Sequence, residues 1–473
     1  MTQSFVNALA LHRADRAQST AFLLFAMCLG VFIAQLDSSV VYLGAHTISV
    51  ALNASITQTQ WVLDIYNLFY AALLMTGGAL GDIFGRRKIF LTGIALIAAG
   101  SVICAAAPNS IVLIGGRALT GVGSALEIPA SLAILAVTYP DPHARSRAIG
   151  VWASCNGLAM AAGPSIGGLL VDSLGWRSIF YVVIPVCALA IWMALSQVNE
   201  SRDPGKRELD PAGQLLAITT LGALSFVAIE GPHRGWTAPS MIAIAAVAVA
   251  SAIVFVRVER GRPGALLPFD MFGNRAFNAA LTIAGLMTFG MYAMLFLVPI
   301  YLQSVAHLSA AKAGLALIPI SLVFVAVSQV SGPLIKRVGA RAMTACGMGF
   351  MGGGLALLVA VLGTANLVAI EAALVAVGIG LGLNTGPVNA VAVASVPPGR
   401  SGTASGLINT TRMVGATLGI ASLGTIYAVY AASPTDAMTG FQLALSGGAV
   451  AELSGVAIAL SFIAANSAEQ QHR

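Results

Sequence analysis

Apolar stretches of roughly 20 residues, each long enough to cross a bilayer as an α-helix, recur from residue 19 to residue 466 with only short polar interruptions. No other feature restricts the fold so tightly. A bilayer offers no water to backbone N–H and C=O groups, so a spanning segment must satisfy them within a helix or a closed barrel. A barrel would show segments of about ten residues alternating in polarity, whereas these runs are continuous. The expected fold class is an all-α polytopic membrane protein. Composition agrees, with 58% hydrophobic residues, 9% charged residues and a mean hydropathy of +0.87; soluble domains carry about a quarter charged residues.

The runs read as fourteen spans, at 19–44, 60–81, 89–107, 111–135, 148–171, 178–197, 212–230, 238–257, 277–303, 312–335, 342–362, 367–394, 403–430 and 441–465. The first 18 residues are polar, with Arg13 and Arg16, and the run after them is too long for a signal-peptide core, so it reads as a retained first span. An even number of spans puts both termini on one side. If that side is inside, 19 of the 24 Lys and Arg residues lie in inner loops and tails, three in outer segments (Arg177, Arg234, Lys312) and two within spans (Arg117, Arg412). The positive-inside rule then predicts cytoplasmic termini and a place in the cell's inner (plasma) membrane.

The net charge of +6 is accounted for by this topology and implies lipid rather than nucleic acid as a partner. The five cysteines (Cys28, Cys104, Cys155, Cys187, Cys346) fall within apolar runs, without metal-ligand spacing, and read as small core residues. There is no phosphate-binding Gly-rich Lys-Ser/Thr loop, metal-ligand cluster or nucleophile motif. Neither an enzyme, a cofactor nor a bound metal is expected.

The chain repeats itself at a spacing near 255. "GALGDIFGRR" (78–87) aligns with "GPLIKRVGAR" (332–341), matching Gly78, Leu80, Gly85 and Arg87 with Gly332, Leu334, Gly339 and Arg341, while Lys336 stands opposite Asp82. Gly150 and Gly163 match Gly406 and Gly419. Duplication predicts a cytoplasmic tail at 1–18, a six-helix bundle at 19–200, an inserted pair of spans with charged linkers at 201–276, a second six-helix bundle at 277–466 and a tail at 467–473. Two such bundles around a central path are a transporter architecture, with substrate near the midplane.

An ionisable side chain at the centre of a span costs about 2.5–3.5 kcal/mol on insertion scales, so each embedded one is a functional candidate. Asp37 and Arg117 fall at similar depths in spans 1 and 4, close enough to meet. A carboxyl group in a dehydrated cavity holds its proton more firmly, whereas a neighbouring guanidinium favours its charged form. A cationic substrate and a proton can therefore compete for one acid, the alternative being a static ion pair. Asp64 reads either as a recruiter of cations or as a solvated helix end. Glu127 reads as a reader of substrate charge or as a structural acid. Glu371 is expected to face water, Arg412 and Glu452 to form a structural pair, and His46 to lie at the surface. In "GDIFGRRK" (81–88), Gly85 suits a tight turn, Asp82 suits the positive end of a helix, and Arg86, Arg87 and Lys88 suit a cytoplasmic anchor.

Several segments together resemble the major facilitator superfamily. "GALGDIFGRRK" is similar to its loop signature, "RALTGVGSALEIPASLAIL" (117–135) to its span-4 motif, and "GVWASCNGLAMAAGPSIGGLL" (150–170) to the span-5 motif of its antiporters. "LDSSVVYLGA" (36–45) resembles the span-1 motif of its drug exporters, and "IEGPHRGWTAP" (229–239) the loop between the two extra spans of fourteen-span drug/proton antiporters. The layout is most similar to methylenomycin-resistance and quaternary-ammonium exporters. It departs from the family at Tyr42 and the following "GAHTIS", and at Lys336.

The resemblance implies two six-helix bundles plus two inserted helices, and a monomer that exports small amphipathic drugs or antibiotics in exchange for protons, driven by the proton gradient. Asp37, Arg117, Asp64 and Glu127 would handle protons and substrate, and the embedded acids favour organic cations. Gly81, Asp82, Gly85, Arg86 and Arg87 would form the conformational gate. Gly150, Gly157, Gly163, Pro164, Gly167 and Gly168 would form the antiporter element between the bundles. A metabolite facilitator of the same fold, or a transporter-like sensor or lipid-handling protein, are the alternatives.

Overall fold

A computed structural model describes residues 2–203, 210–260, 269–364, 366–397, 400–431 and 434–463. The linker residues Lys206, Arg207 and Arg262 and the tail at 467–473 lie outside the described residues. Fourteen helices are long and apolar enough to cross a membrane: Thr20–Ala51, Ile56–Phe84, Arg86–Ala106, Ser110–Thr138, His143–Leu174, Ser178–Gln197, Pro211–Arg234, Pro239–Glu259, Arg275–Ser304, Ala310–Ile335, Ala340–Val361, Leu367–Ala394, Ser401–Tyr430 and Asp436–Phe462. These are spans 1 to 14 in chain order. Span 1 continues a helix that begins at Thr2 and so takes in most of the expected N-terminal tail.

Local chemistry sets the helix ends. Ser55 and Gln58 form a reciprocal capping box at the start of span 2, each side chain accepting from the other's backbone N–H at 3.1 Å. Asn109, Asp141, Ser309 and Asn366 cap other starts. The duplicated loops close alike: Gly85 (φ 113°) and Gly339 (φ 86°) each end a helix with positive φ, open to glycine at little cost.

The fold is two six-helix bundles, spans 1–6 and 9–14, with spans 7 and 8 outside them. The apolar windows of spans 7 and 8 are only 22% and 17% buried against 72% for span 9, which places the inserted pair at the periphery. Small residues set the close approaches: Gly77 lies on the backbone of Ala125, and Gly93 on that of Gly123. Cys28, Cys104 and Cys187 are buried as expected. Cys346, however, is exposed on span 11, because a small apolar thiol also suits an outward helix face.

Candidate functional site

Spans 1 and 4 bring Asp37 and Arg117 together. Arg117 Nη1 donates to Asp37 Oδ2 at 2.5 Å, and both side chains are about 1% exposed. Arg117 Nε donates to Val62 O at 3.3 Å, Nη1 also reaches Thr120 Oγ1, and the guanidinium lies 4.5 Å from the Tyr66 ring centroid. Tyr66 is itself fixed by bonds from its hydroxyl to Ala34 O (3.0 Å) and Ser124 Oγ (2.9 Å). Asp37 Oδ1 has no partner. Span 1 extends to Ala51, so Asp37 is fourteen residues, about 21 Å, from its far end and close to the membrane middle.

Asp64 is no solvated helix end. Span 2 starts at Ile56, and the Asp64 carboxylate is wholly buried, facing the hydroxyls of Ser225 of span 7 and Thr417 of span 13. Glu127 is enclosed among spans 1, 3 and 4, where the absence of side chains at Gly30 and Gly93 makes room for it. The expected Arg412–Glu452 pair does not form. Glu452 packs at Gly290 of span 9 with both oxygens unpartnered, while Arg412 Nη2 donates to Thr385 O at 3.4 Å. Equal depth did not bring them together because the two side chains leave their helices on different faces. Glu371 and His46 are partly exposed.

At the near face, where span 1 begins, Arg86 Nη2 pairs with Asp82 Oδ1 at 2.7 Å. The linker after span 6 then wraps this loop. Arg87 N and Lys88 N each donate to the Glu200 carboxylate at 3.1 Å, Arg86 N donates to Ser201 O, and Asp203 N donates to Asp82 O. Glu200 therefore takes the positive end of span 3 that Asp82 was expected to seek. Gly81 is buried beside Arg86, and Arg87 Nη2 donates to Leu195 O.

Span 5 changes character along its length. A Cβ added at Gly150 would meet nothing within 4 Å, and one at Gly157 would meet only Phe324 and Val325 of span 10, at 3.9 Å. Farther on, Gly163 lies on Ser39, Gly167 on Val40, and Gly168 on Ala310, while Pro164 O meets Gly314. Asp172 clamps this far-face seam by accepting from Ala310 N and Ala311 N, and Gln303 Nε2 donates to Leu43 O at 2.9 Å. Just beneath is an apolar chamber walled by Tyr42 and Ser39 of span 1, Pro164 of span 5, Met291 of span 9, Phe324 of span 10 and Leu381 of span 12.

The inserted pair is held by polar contacts. Gln214 of span 7 bonds Thr76 and Ala72 O of span 2, Trp61 Nε1 donates to Glu230 Oε1 at 3.2 Å, and Thr425 of span 13 donates to Ala228 O at 2.8 Å. Sequence reasoning missed Tyr66, Asp172, Glu200 and Gln214. Only Glu200 carried a signal, as an acid beside a basic loop.

Residues 27–420 match the profile of the Major Facilitator Superfamily. The multidrug resistance protein Stp of Mycobacterium tuberculosis is 34% identical over 415 residues, covering 86% of this chain and 76% of the relative. The methylenomycin A resistance protein of Bacillus subtilis is 33% identical over 429 residues (90% and 91%), and the multidrug efflux pump LfrA of Mycolicibacterium smegmatis 31% over 444 residues (94% and 88%). A bacterial homolog of the human lysosomal transporter Spinster, inward-facing and unoccupied, shares the fold with a TM-score of 0.64 at 18% identity, over 94% of this chain and 96% of that one. A peptide transporter in complex with sulfate gives 0.69 at 17%, over 92% and 94%. With helices, motif-bearing loops and relatives in agreement, the chain belongs to the major facilitator superfamily, as a multi-pass membrane transporter related to drug efflux pumps.

Proposed function

We propose that the protein is a proton-coupled antiporter that exports small amphipathic drugs or antibiotics across the cytoplasmic membrane by alternating access, with both termini in the cytoplasm. The enclosed Asp37–Arg117 pair carries this reading. It lies two residues from Ser39, which lines the chamber between the bundles, and one Asp37 oxygen remains open to a proton. Protonating Asp37 removes one charge of a buried pair and leaves Arg117 without its counter-ion, an arrangement that low-dielectric surroundings penalise strongly. Re-solvating Arg117 requires the bundles to admit water, and that movement is the step coupled to drug release. The far-face seam at Gly163, Gly167 and Gly168 supports a sealed side in the same cycle, and the Asp82–Arg86 loop supports a near-face latch.

Proteoliposomes holding the purified protein test the reading, with rhodamine 110 as the probe and an imposed pH gradient. Dye movement against its gradient should stop when an uncoupler is added and should be absent in Asp37→Asn. Transport insensitive to the uncoupler would make the protein a facilitator, and full coupled export by Asp37→Asn would remove Asp37 from the mechanism.

A further inference from the structure

No embedded acid lines the apolar chamber between the bundles. Asp37 is held by Arg117, Asp64 faces Ser225 and Thr417, and Glu127 is enclosed behind Gly30 and Gly93. A cation lies about one helical turn from the chamber's lining residues Met291 and Leu381, between Thr288 of span 9 and Thr385 of span 12. Arg412 enters from span 13 and is partly exposed. A guanidinium offers five N–H donors. Here one makes a long bond of 3.4 Å to Thr385 O, Nε has no partner, and no carboxylate pairs with it among the described residues.

Its placement is rigid. Thr288 of span 9 donates to Arg412 O at 2.6 Å, and Gly415 lies on the backbone of Gly285, so the segment bearing Arg412 is seated firmly on span 9. Tyr292, one turn along span 9 from Thr288, meets Tyr42 of span 1 edge-on at 5.8 Å. Tyr42 and Met291, the neighbour of Tyr292, both line the apolar chamber. The unpaired guanidinium thus lies about one helical turn from the apolar chamber. A carboxylate satisfies such a group with two parallel charge-assisted hydrogen bonds, whereas an organic cation beside it is repelled.

We propose that the inter-bundle site selects amphipathic substrates bearing a carboxylate or a comparably acidic group, with Arg412 reading the charge and the chamber beside Tyr42 holding the apolar body. The inference rests on the export reading above and names its substrate class.

Rhodamine 110, which has a free carboxylate, and rhodamine 123, its methyl ester, differ at the group in question. Their binding to purified protein in detergent is read by fluorescence anisotropy. The wild type should bind rhodamine 110 about tenfold more tightly or better. Arg412→Gln should bring the ratio of affinities to about one or below, and Arg412→Lys should keep part of it, as a point charge without the planar fork. Both dyes are measured on one preparation, so partial misfolding weakens both and leaves the ratio readable. If Arg412→Gln binds neither dye, the wild-type and Arg412→Lys ratios decide. Equal or ester-favouring affinities in the wild type, or an unchanged ratio in Arg412→Gln, would overturn the proposal. No proton gradient enters this measurement. A ratio of one alongside uncoupler-sensitive efflux sinks only this inference, whereas the expected ratio alongside uncoupler-insensitive efflux sinks only the antiport reading.

Discussion

Asp37 and Arg117, 80 residues apart in the chain, meet at 2.5 Å inside the first bundle. Removing one partner leaves the other charge buried and uncompensated, at a cost of about 3–5 kcal/mol, whereas neutralising both is far cheaper. Arg117→Gln alone should therefore lower the thermal midpoint in detergent sharply. The double variant Asp37→Asn with Arg117→Gln should recover most of that loss yet show no proton-coupled transport. Recovery of transport along with stability would mean that the pair is only a strut.

Asp64 should behave in the opposite way. Its carboxylate is buried against the hydroxyls of Ser225 and Thr417, and the amide of Asp64→Asn keeps the shape without the charge. Two hydroxyls, those of Ser225 and Thr417, compensate a buried carboxylate poorly, and the amide removes the charge while it can still bond them, so Asp64→Asn should raise thermal stability by about 1–3 kcal/mol. A lower midpoint would show that the acid has a further bonded partner in the working protein.

The glycines of span 5 should separate into two classes. At Gly163 a Cβ has no room beside Ser39, so Gly163→Val should cost about 1–3 kcal/mol through overpacking and loosen the far-face seam. Passive proton leak into proteoliposomes should rise. Gly150→Ala meets open space and should gain up to about 1 kcal/mol of helix stability with no added leak. Equal leak from both variants would detach the seam from these contacts.

At the near face, Asp82→Asn removes a partly exposed pair worth less than about 1 kcal/mol, so expression and stability should hold while export falls. Glu200→Gln strips charge from the group that caps Arg87 N and Lys88 N, and should lower the thermal midpoint by an amount equivalent to about 0.5–2 kcal/mol. Export at the wild-type rate in Asp82→Asn would reduce the loop to a topological anchor.

The spans were legible because backbone polar groups cannot remain unsatisfied in lipid, so every crossing leaves a long apolar run. Their ends were less so: span 1 runs seven residues past its expected end at 44, and this moved Asp37 toward the membrane middle. Depth alone brought out Asp37 and Arg117 as partners, yet the same reasoning failed for Arg412 and Glu452, since depth says nothing about which way a side chain leaves its helix. Asp64 read as a recruiter of cations or a solvated helix end, and only packing reveals that it is buried between spans 7 and 13. Glu200 and Gln214 bind backbone and side chains more than a hundred residues away, a pairing that no local pattern records.

Span 7 is bonded to span 2 through Gln214 and to span 13 through Thr425, and so stitches the two bundles together along one flank. The opposite flank, where spans 5 and 10 meet, is bonded toward the far face, where Asp172 accepts from Ala310 N and Ala311 N and Ser165 donates to Gly314 O; toward the near face no hydrogen bond joins the two spans among the described residues. A body bound along one edge opens like a book about its spine. Spin labels placed across spans 5 and 10 at the near face should therefore separate farther than labels across spans 2 and 13, and an amphipathic molecule arriving from the lipid would enter at the fore-edge.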